Sequence, residues 1–209
     1  CQRIGSLAAV IAGQIGGNAD NAKLAGELSK ADLNSEMVGE FDTMQGIMGF
    51  YLAQREGQPD DVAKALYEQY LPRFAGDTLP QSKTGMAVSL ADKIDTLVGI
   101  FGIGQKPSGT KDPYALRRAT LGVLRIIIEN ELALDLRELL DQAAAQLGER
   151  IDANQVEDAF DFIKGRYRAI YQEQGIATPV ILSVLAIDEA CRKPLDFDRR
   201  VKAVAAFQQ

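Results

Sequence analysis

The 209-residue chain contains no histidine. That absence removes Ser-His-Asp and Cys-His nucleophile systems, the commonest general base at neutral pH, and every metal site built on imidazole. Cysteine is nearly as scarce: Cys1 and Cys191 lie too far apart in sequence to form a disulfide framework, which points to a reducing, cytoplasmic setting. Long apolar runs are missing as well. Even LGVLRIIIENELAL is broken by Arg125, Glu129 and Glu131, short of the roughly 18 to 20 residues a membrane span requires, so no membrane partner is expected. The opening CQRIGSLAAVIAGQIGG carries four glycines and no charged leader, which argues against a signal peptide, and a start at Cys1 without methionine reads as an excised fragment.

What is present is ordinary for a compact soluble protein: 46% hydrophobic and 25% charged residues match a globular domain and not a disordered or repeat chain. A net charge of -6 would repel a polyanion as a whole. Exposed charges beyond about 8 to 10 Å are screened, however, so a local basic patch can still hold phosphate.

Apolar spacing is helical nearly throughout, and no stretch alternates strictly, so the expected fold class is all-α. Phe41, Met44, Ile47, Met48, Tyr51 and Leu52 recur at three and four and are expected on one helix face. Asp60 or Asp61 caps a helix carrying Val62, Leu66 and Tyr70. In MAVSLADKIDTLVGIFGIG, Ala87, Leu90, Ala91, Ile94, Leu97, Val98 and Phe101 mark a buried stripe, with Asp92, Lys93 and Asp95 mainly off it. Later helices are capped by Asp152 or Asn154 and by Thr178 before Pro179, and the last sets Phe197, Val201, Val204 and Phe207 on one side. The expected organisation is a first helical domain over residues 1–131 and a smaller helical bundle segment over 132–209.

Four strings in order, LSKADLNSEMVGEFDTMQGIMGFYLA, YLPRFAGDTLP, SLADKIDTLVGIFGIG and SGTKDPYALRRATLGVLRI, resemble the beta subunit of the bacterial two-subunit glycyl-tRNA synthetase. The likeness runs almost without a gap over about residues 25 to 130 and more loosely to 209. It implies an HD-like helical domain followed by helices leading toward an anticodon-binding domain that is itself missing. In that family the alpha subunit carries the site for glycine, ATP and Mg²⁺, and the beta subunit binds tRNA. The partners implied are therefore the alpha subunit and tRNA(Gly), with no cofactor and no catalytic residue in this segment.

HD hydrolases bind metal through histidines and aspartates. The resemblance sets SKAD, with Lys30 and Asp32, at the HD pair and ADKID, with Asp92, near the last aspartate. Without imidazole those carboxylates do not make a transition-metal centre, so no hydrolase activity and no metal are expected. The plain reading is that Asp32 caps a helix and Asp92 is solvated or pairs with Lys93 or Lys30. An oxygen-only Mg²⁺ site at Asp32 and Asp92 stays open at this stage.

Across residues 106 to 125, Lys106, Lys111, Arg117, Arg118 and Arg125 stand against Asp112 alone. Arg118 and Arg125, seven residues apart, fall about 20° from one another on a helix, opposite Leu116, Ala119, Val123 and Ile127. One face can pack while the other offers guanidinium groups to RNA phosphate. The alternative is that Asp112 and Pro113 simply start the helix and the arginines pair with acidic neighbours. KPSGT lacks the GK[ST] ending of a phosphate-binding loop and reads as a turn. Lys164, Arg166 and Arg168 interleave with Tyr167 and Tyr171, but Phe160, Ile163, Tyr167 and Ile170 form a core stripe before they form a base-stacking surface. Three readings remain: a tRNA-positioning module, a catalytically silent spacer at a subunit interface, and an HD-type phosphohydrolase.

Overall fold

The structure is a computed structural model and describes residues 1–207. These residues form α1 (Gln2–Gln14), α2 (Ala19–Leu28), α3 (Glu36–Glu40), α4 (Ile47–Arg55), α5 (Asp60–Glu68), α6 (Lys83–Gly102), α7 (Leu116–Glu129), α8 (Leu136–Ala145), α9 (Ala153–Glu173), α10 (Thr178–Leu185), α11 (Asp188–Arg192) and α12 (Pro194–Phe207). Short 3-10 turns occupy Ala31–Asn34, Asp42–Met44 and Gly148–Arg150. No strand occurs among the described residues, only an isolated bridge between Ser108 and Lys111, so the fold is all-α.

Two compact units divide the chain, Cys1–Asp95 and Thr96–Gln209, with the division inside α6. The position expected for a domain boundary, near residue 131, falls within the second unit, where α7 turns its buried side toward α9 and α12.

In the first unit, the N-terminal half of α6 is buried nearly all round: Thr84, Ala87, Val88, Ser89, Leu90, Ala91 and Ile94 are fully enclosed. The charges expected off its buried stripe are enclosed too. Lys93 and Asp95 each expose 9% of their surface, so a position off the apolar face does not imply solvent on this helix. α1 and α2 pack so closely that a Cβ added to Gly26 would lie 2.5 Å from the Gly5 Cα. α4 packs on α5, and Ala53, Ala63 and Leu66 close a small core with Leu28 and Phe50.

The apolar stripe expected over residues 41–52 is broken. Gly46 adopts φ +81°, and a Cβ there would meet the Tyr70 ring at 2.8 Å, so the chain stops being helical between the Asp42–Met44 turn and α4. With the helix interrupted, periodicity no longer places these residues on one buried face: Phe41 and Tyr51 are both 58% exposed.

The second unit is built on α9. Phe160, Ile163 and Tyr167 are buried as the core reading expects, and Tyr171 joins them. Tyr167 stacks on Phe197 of α12 with ring centroids 4.0 Å apart, and Tyr171 lies 5.6 Å from the same ring. Each hydroxyl finds an acceptor: Tyr167 donates to the Cys191 carbonyl and Tyr171 to Asp198 Oδ1, both at 3.0 Å. Burial pushes both phenols well above their ordinary range, so they act as neutral donors. Asp152 caps α9 in a reciprocal capping box with Gln155. Phe197 and Val201 are buried, whereas Phe207, expected on the same side, is 94% exposed at the end of α12.

The close approach of Gly5 and Gly26 can be tested by stability. Gly26→Ala forces backbone against backbone, and unfolding free energy in urea should fall by roughly 1 to 3 kcal/mol with an unchanged m-value.

Candidate functional site

Two constellations concentrate the chemistry, one in each unit. In the first, α2 ends at Leu28, Ser29 follows, and Lys30 takes a left-handed backbone at φ +66° that leads into the Ala31–Asn34 turn. That conformation costs about 1 kcal/mol or more in a residue with a Cβ, so it persists only where the surroundings impose it. Here the Lys30 ammonium bonds both oxygens of Asp92, at 2.9 and 3.0 Å, and lies 5.7 Å from the centre of the Tyr70 ring.

Asp32 is 2% exposed. Its Oδ2 accepts the Gly46 N–H at 2.6 Å, and its Oδ1 accepts the Tyr70 hydroxyl at 3.3 Å. Burial raises the Tyr70 phenol above its ordinary range, and the neighbouring Asp32 and Asp92 carboxylates add to the rise, so Tyr70 stays a donor. Lys93, next along α6, donates to the Leu71 carbonyl at 2.9 Å, to Ser89 Oγ at 2.7 Å and to the Gln69 carbonyl at 3.3 Å. It thereby satisfies carbonyls left open just past the end of α5. Burial pushes its amine down to about 8, with Asp92 pulling upward and Lys30 adding to the fall. A cavity of about 190 Å³ adjoins Asp32, walled by Leu28, Leu52 and Leu66 and by Gln69, whose buried Oε1 has no hydrogen-bond partner.

The three positions set by the HD resemblance, Lys30, Asp32 and Asp92, thus come together, along with Tyr70 and Gly46, which sequence reasoning did not place there; of the two lysines expected as partners of Asp92 it is Lys30 that pairs with it, while Lys93 bonds carbonyls and Ser89. The donor set does not fit the metal centre of an HD hydrolase. One carboxylate is held by an ammonium and the other by an N–H and a hydroxyl, so a dication would have to displace Lys30. Among the described residues no group of three or more His, Cys, Asp or Glu side chains is placed to hold a metal ion. What the cluster does is fix backbone: it ties the residue 30–46 segment and the end of α5 to α6.

The second constellation is the loop before α7. Ser108 and Lys111 exchange backbone hydrogen bonds at 2.9 and 3.1 Å, closing a tight turn. Asp112 does cap α7, but from four residues away: its carboxylate accepts the N–H groups of Leu116 at 2.8 Å and Arg117 at 2.9 Å. The helix opens at Leu116 after Ala115 in a left-handed conformation, so Pro113 lies in the turn and not at the first helical position expected for it.

The five basic residues separate into two roles. Arg117 donates to the Gly109 carbonyl at 2.6 Å and locks the loop. Lys106 pairs with Asp158 of α9, and Arg125 pairs with Glu129 at 2.7 Å, one turn along its own helix. Arg125 is therefore not half of a free guanidinium face, because an acidic neighbour lies within reach at i+4. Lys111 and Arg118 are exposed, and neither has a side-chain partner among the described residues. On the opposite side Leu116, Val123 and Ile127 are buried, as the wheel expects. In α9, Arg166 lies 5.3 Å from the Phe162 ring and Lys164 pairs with Asp161, so these cations serve packing before any base.

A family model described as the glycyl-tRNA synthetase beta subunit matches residues 1–186. The chain belongs to that family. It is 55% identical over all 209 residues to the glycine–tRNA ligase beta subunit of Chromohalobacter salexigens, and 56% identical over the same length to those of Pseudomonas syringae pv. syringae and Pseudomonas aeruginosa. It spans about 30% of the length of each of these curated relatives. Within this beta subunit family segment, no helix among the described residues is long and apolar enough to cross a membrane.

The buried amine gives a pH test. Between about pH 8 and 10.5 the unfolded chain holds a proton on Lys93 that the folded chain has released, so this residue adds stability as pH rises through that window. Unfolding free energy of the wild type, measured relative to Lys93→Met, should climb across the window. A flat difference would mean that burial does not depress the amine.

Proposed function

We propose that this segment serves the ligation of glycine to tRNA by positioning tRNA, and that it does so without a reacting group of its own. The observation that carries the reading is the pair Lys111 and Arg118, exposed and without acidic partners on a scaffold held in place by Arg117, Asp112 and Lys106. Lys111 lies in the braced loop and Arg118 in the first turn of α7, and two such cations close together without carboxylate partners, beside the matched Lys106 and Arg125, fit contact with a polyanion. The names of the relatives supply the polyanion, a tRNA.

In this reading labour is divided. The alpha subunit activates glycine with ATP and Mg²⁺, and the beta subunit brings tRNA to it through backbone contacts that set orientation. The Lys30, Asp32 and Asp92 cluster holds the first unit together and takes no part in the chemistry.

Two side chains carry the test in the assembled two-subunit enzyme. Lys111→Ala and Arg118→Ala should each weaken tRNA binding most at low salt, with the gap to wild type closing as salt rises. The slope of log K against log salt should become shallower by about 1 for each phosphate no longer neutralised. Unchanged slopes in both variants would leave a subunit-holding spacer as the better description.

A further inference from the structure

The loop before α7 carries an aromatic ring that its folding leaves in the open. Tyr114 is 43% exposed in a segment that is tied at every turn. Its hydroxyl donates to Gln105 Oε1, Ser108 and Lys111 close the tip, Arg117 reaches back to the Gly109 carbonyl, and the Ala115 N–H bonds the Asp112 carbonyl at 3.1 Å. Among the described residues no second ring and no cation lies against Tyr114. A core tyrosine packs its ring and satisfies its hydroxyl. This one does only the second: the hydroxyl is anchored within the loop, and the ring is held in place with much of it uncovered. An aromatic side chain held this way loses little freedom when a flat group lies on it.

The surroundings restrict what that group is. Lys111 lies three residues before the ring and Arg118 four after it, so their Cα atoms are within about 11 and 14 Å of that of Tyr114 whatever path the loop takes. Both side chains are long, exposed and unmatched. Asp112, the one carboxylate between residues 105 and 118, is engaged by the Leu116 and Arg117 N–H groups. A ring flanked by two such cations matches a nucleotide, in which a base with a π face is joined to phosphate. An apolar peptide would leave the cations unanswered, and an acidic one would leave the ring bare. Bases inside an RNA helix already stack on their neighbours, so only a nucleotide outside the stems has a face to offer.

We propose that Tyr114 is a stacking platform for one unpaired nucleotide of tRNA, with Lys111 and Arg118 holding the phosphates beside it. The proposal rests on the tRNA-positioning reading above and deepens it: the feature held at this loop is a loop, bulge or single-stranded end of the RNA and not a base-paired stem.

Salt separates stacking from phosphate contact in the assembled two-subunit enzyme. Tyr114→Ala should weaken tRNA binding by about fivefold or more at every salt concentration, with the slope of log K against log salt unchanged, because a ring displaces no counterion. Tyr114→Phe, which keeps the ring and loses the tie to Gln105, should retain most of the affinity. A benzophenone amino acid replacing Tyr114 should, on irradiation, link to tRNA at an unpaired nucleotide. Equal losses in the alanine and phenylalanine variants would overturn the proposal, as would a link to a paired stem, to a polypeptide or to nothing. If Lys111→Ala and Arg118→Ala leave the salt slope unchanged, the tRNA-positioning reading itself fails. If their slopes become shallower while Tyr114→Ala binds as the wild type does, only the platform is wrong.

Discussion

Burying a helix that carries charge is the constraint around which the first unit is arranged. The N-terminal half of α6 is enclosed on nearly every side, yet Asp92, Lys93 and Asp95 follow one another along it. An unpaired charge in such a place is costly by several kcal/mol, so each must be met. Asp92 is met by Lys30, Asp95 by a two-pronged contact from Arg3 at 2.7 and 3.0 Å, and Lys93 by two carbonyls and a hydroxyl. Those three solutions draw α1, the residue 30 turn and the end of α5 onto one helix. Lys30, which takes a left-handed backbone, supplies the ammonium that meets Asp92.

The same cluster gives its carboxylates a structural role. An HD hydrolase uses its carboxylates to hold metal. Here Asp32 holds the Gly46 N–H at the point where the chain breaks before α4, and that break turns Phe41 and Tyr51 outward. Asp32 thus acts as a structural clasp between the residue 30 turn and the start of α4.

Much of the helical content could be read directly. The stripe of α6, a cap at Asp152 or Asn154 (Asp152 in the event), the apolar face of α7 and the core role of Phe160, Ile163 and Tyr167 all depend on local spacing and on hydrogen bonds spanning a few residues. Where local pattern misleads, the deciding contact is one that periodicity does not weigh. The stripe over 41–52 breaks because Gly46 lies against Tyr70, and the Arg118 and Arg125 face is halved because Glu129 takes Arg125. The spacing of apolar residues in a single window contains no record of either Tyr70 or the competition for an arginine.

The sequence by itself determined the all-α class, the family, the absence of imidazole chemistry and the set of residues from which any site must be drawn, because composition, period and motif are properties of order along the chain. Tertiary structure alone decided which of five basic residues stay unmatched, which carboxylates are engaged, and which apolar residues remain outside. Those outcomes depend on side chains meeting within hydrogen-bond or van der Waals range, many of them distant in sequence, and on burial making each unmet charge too unfavourable to leave alone.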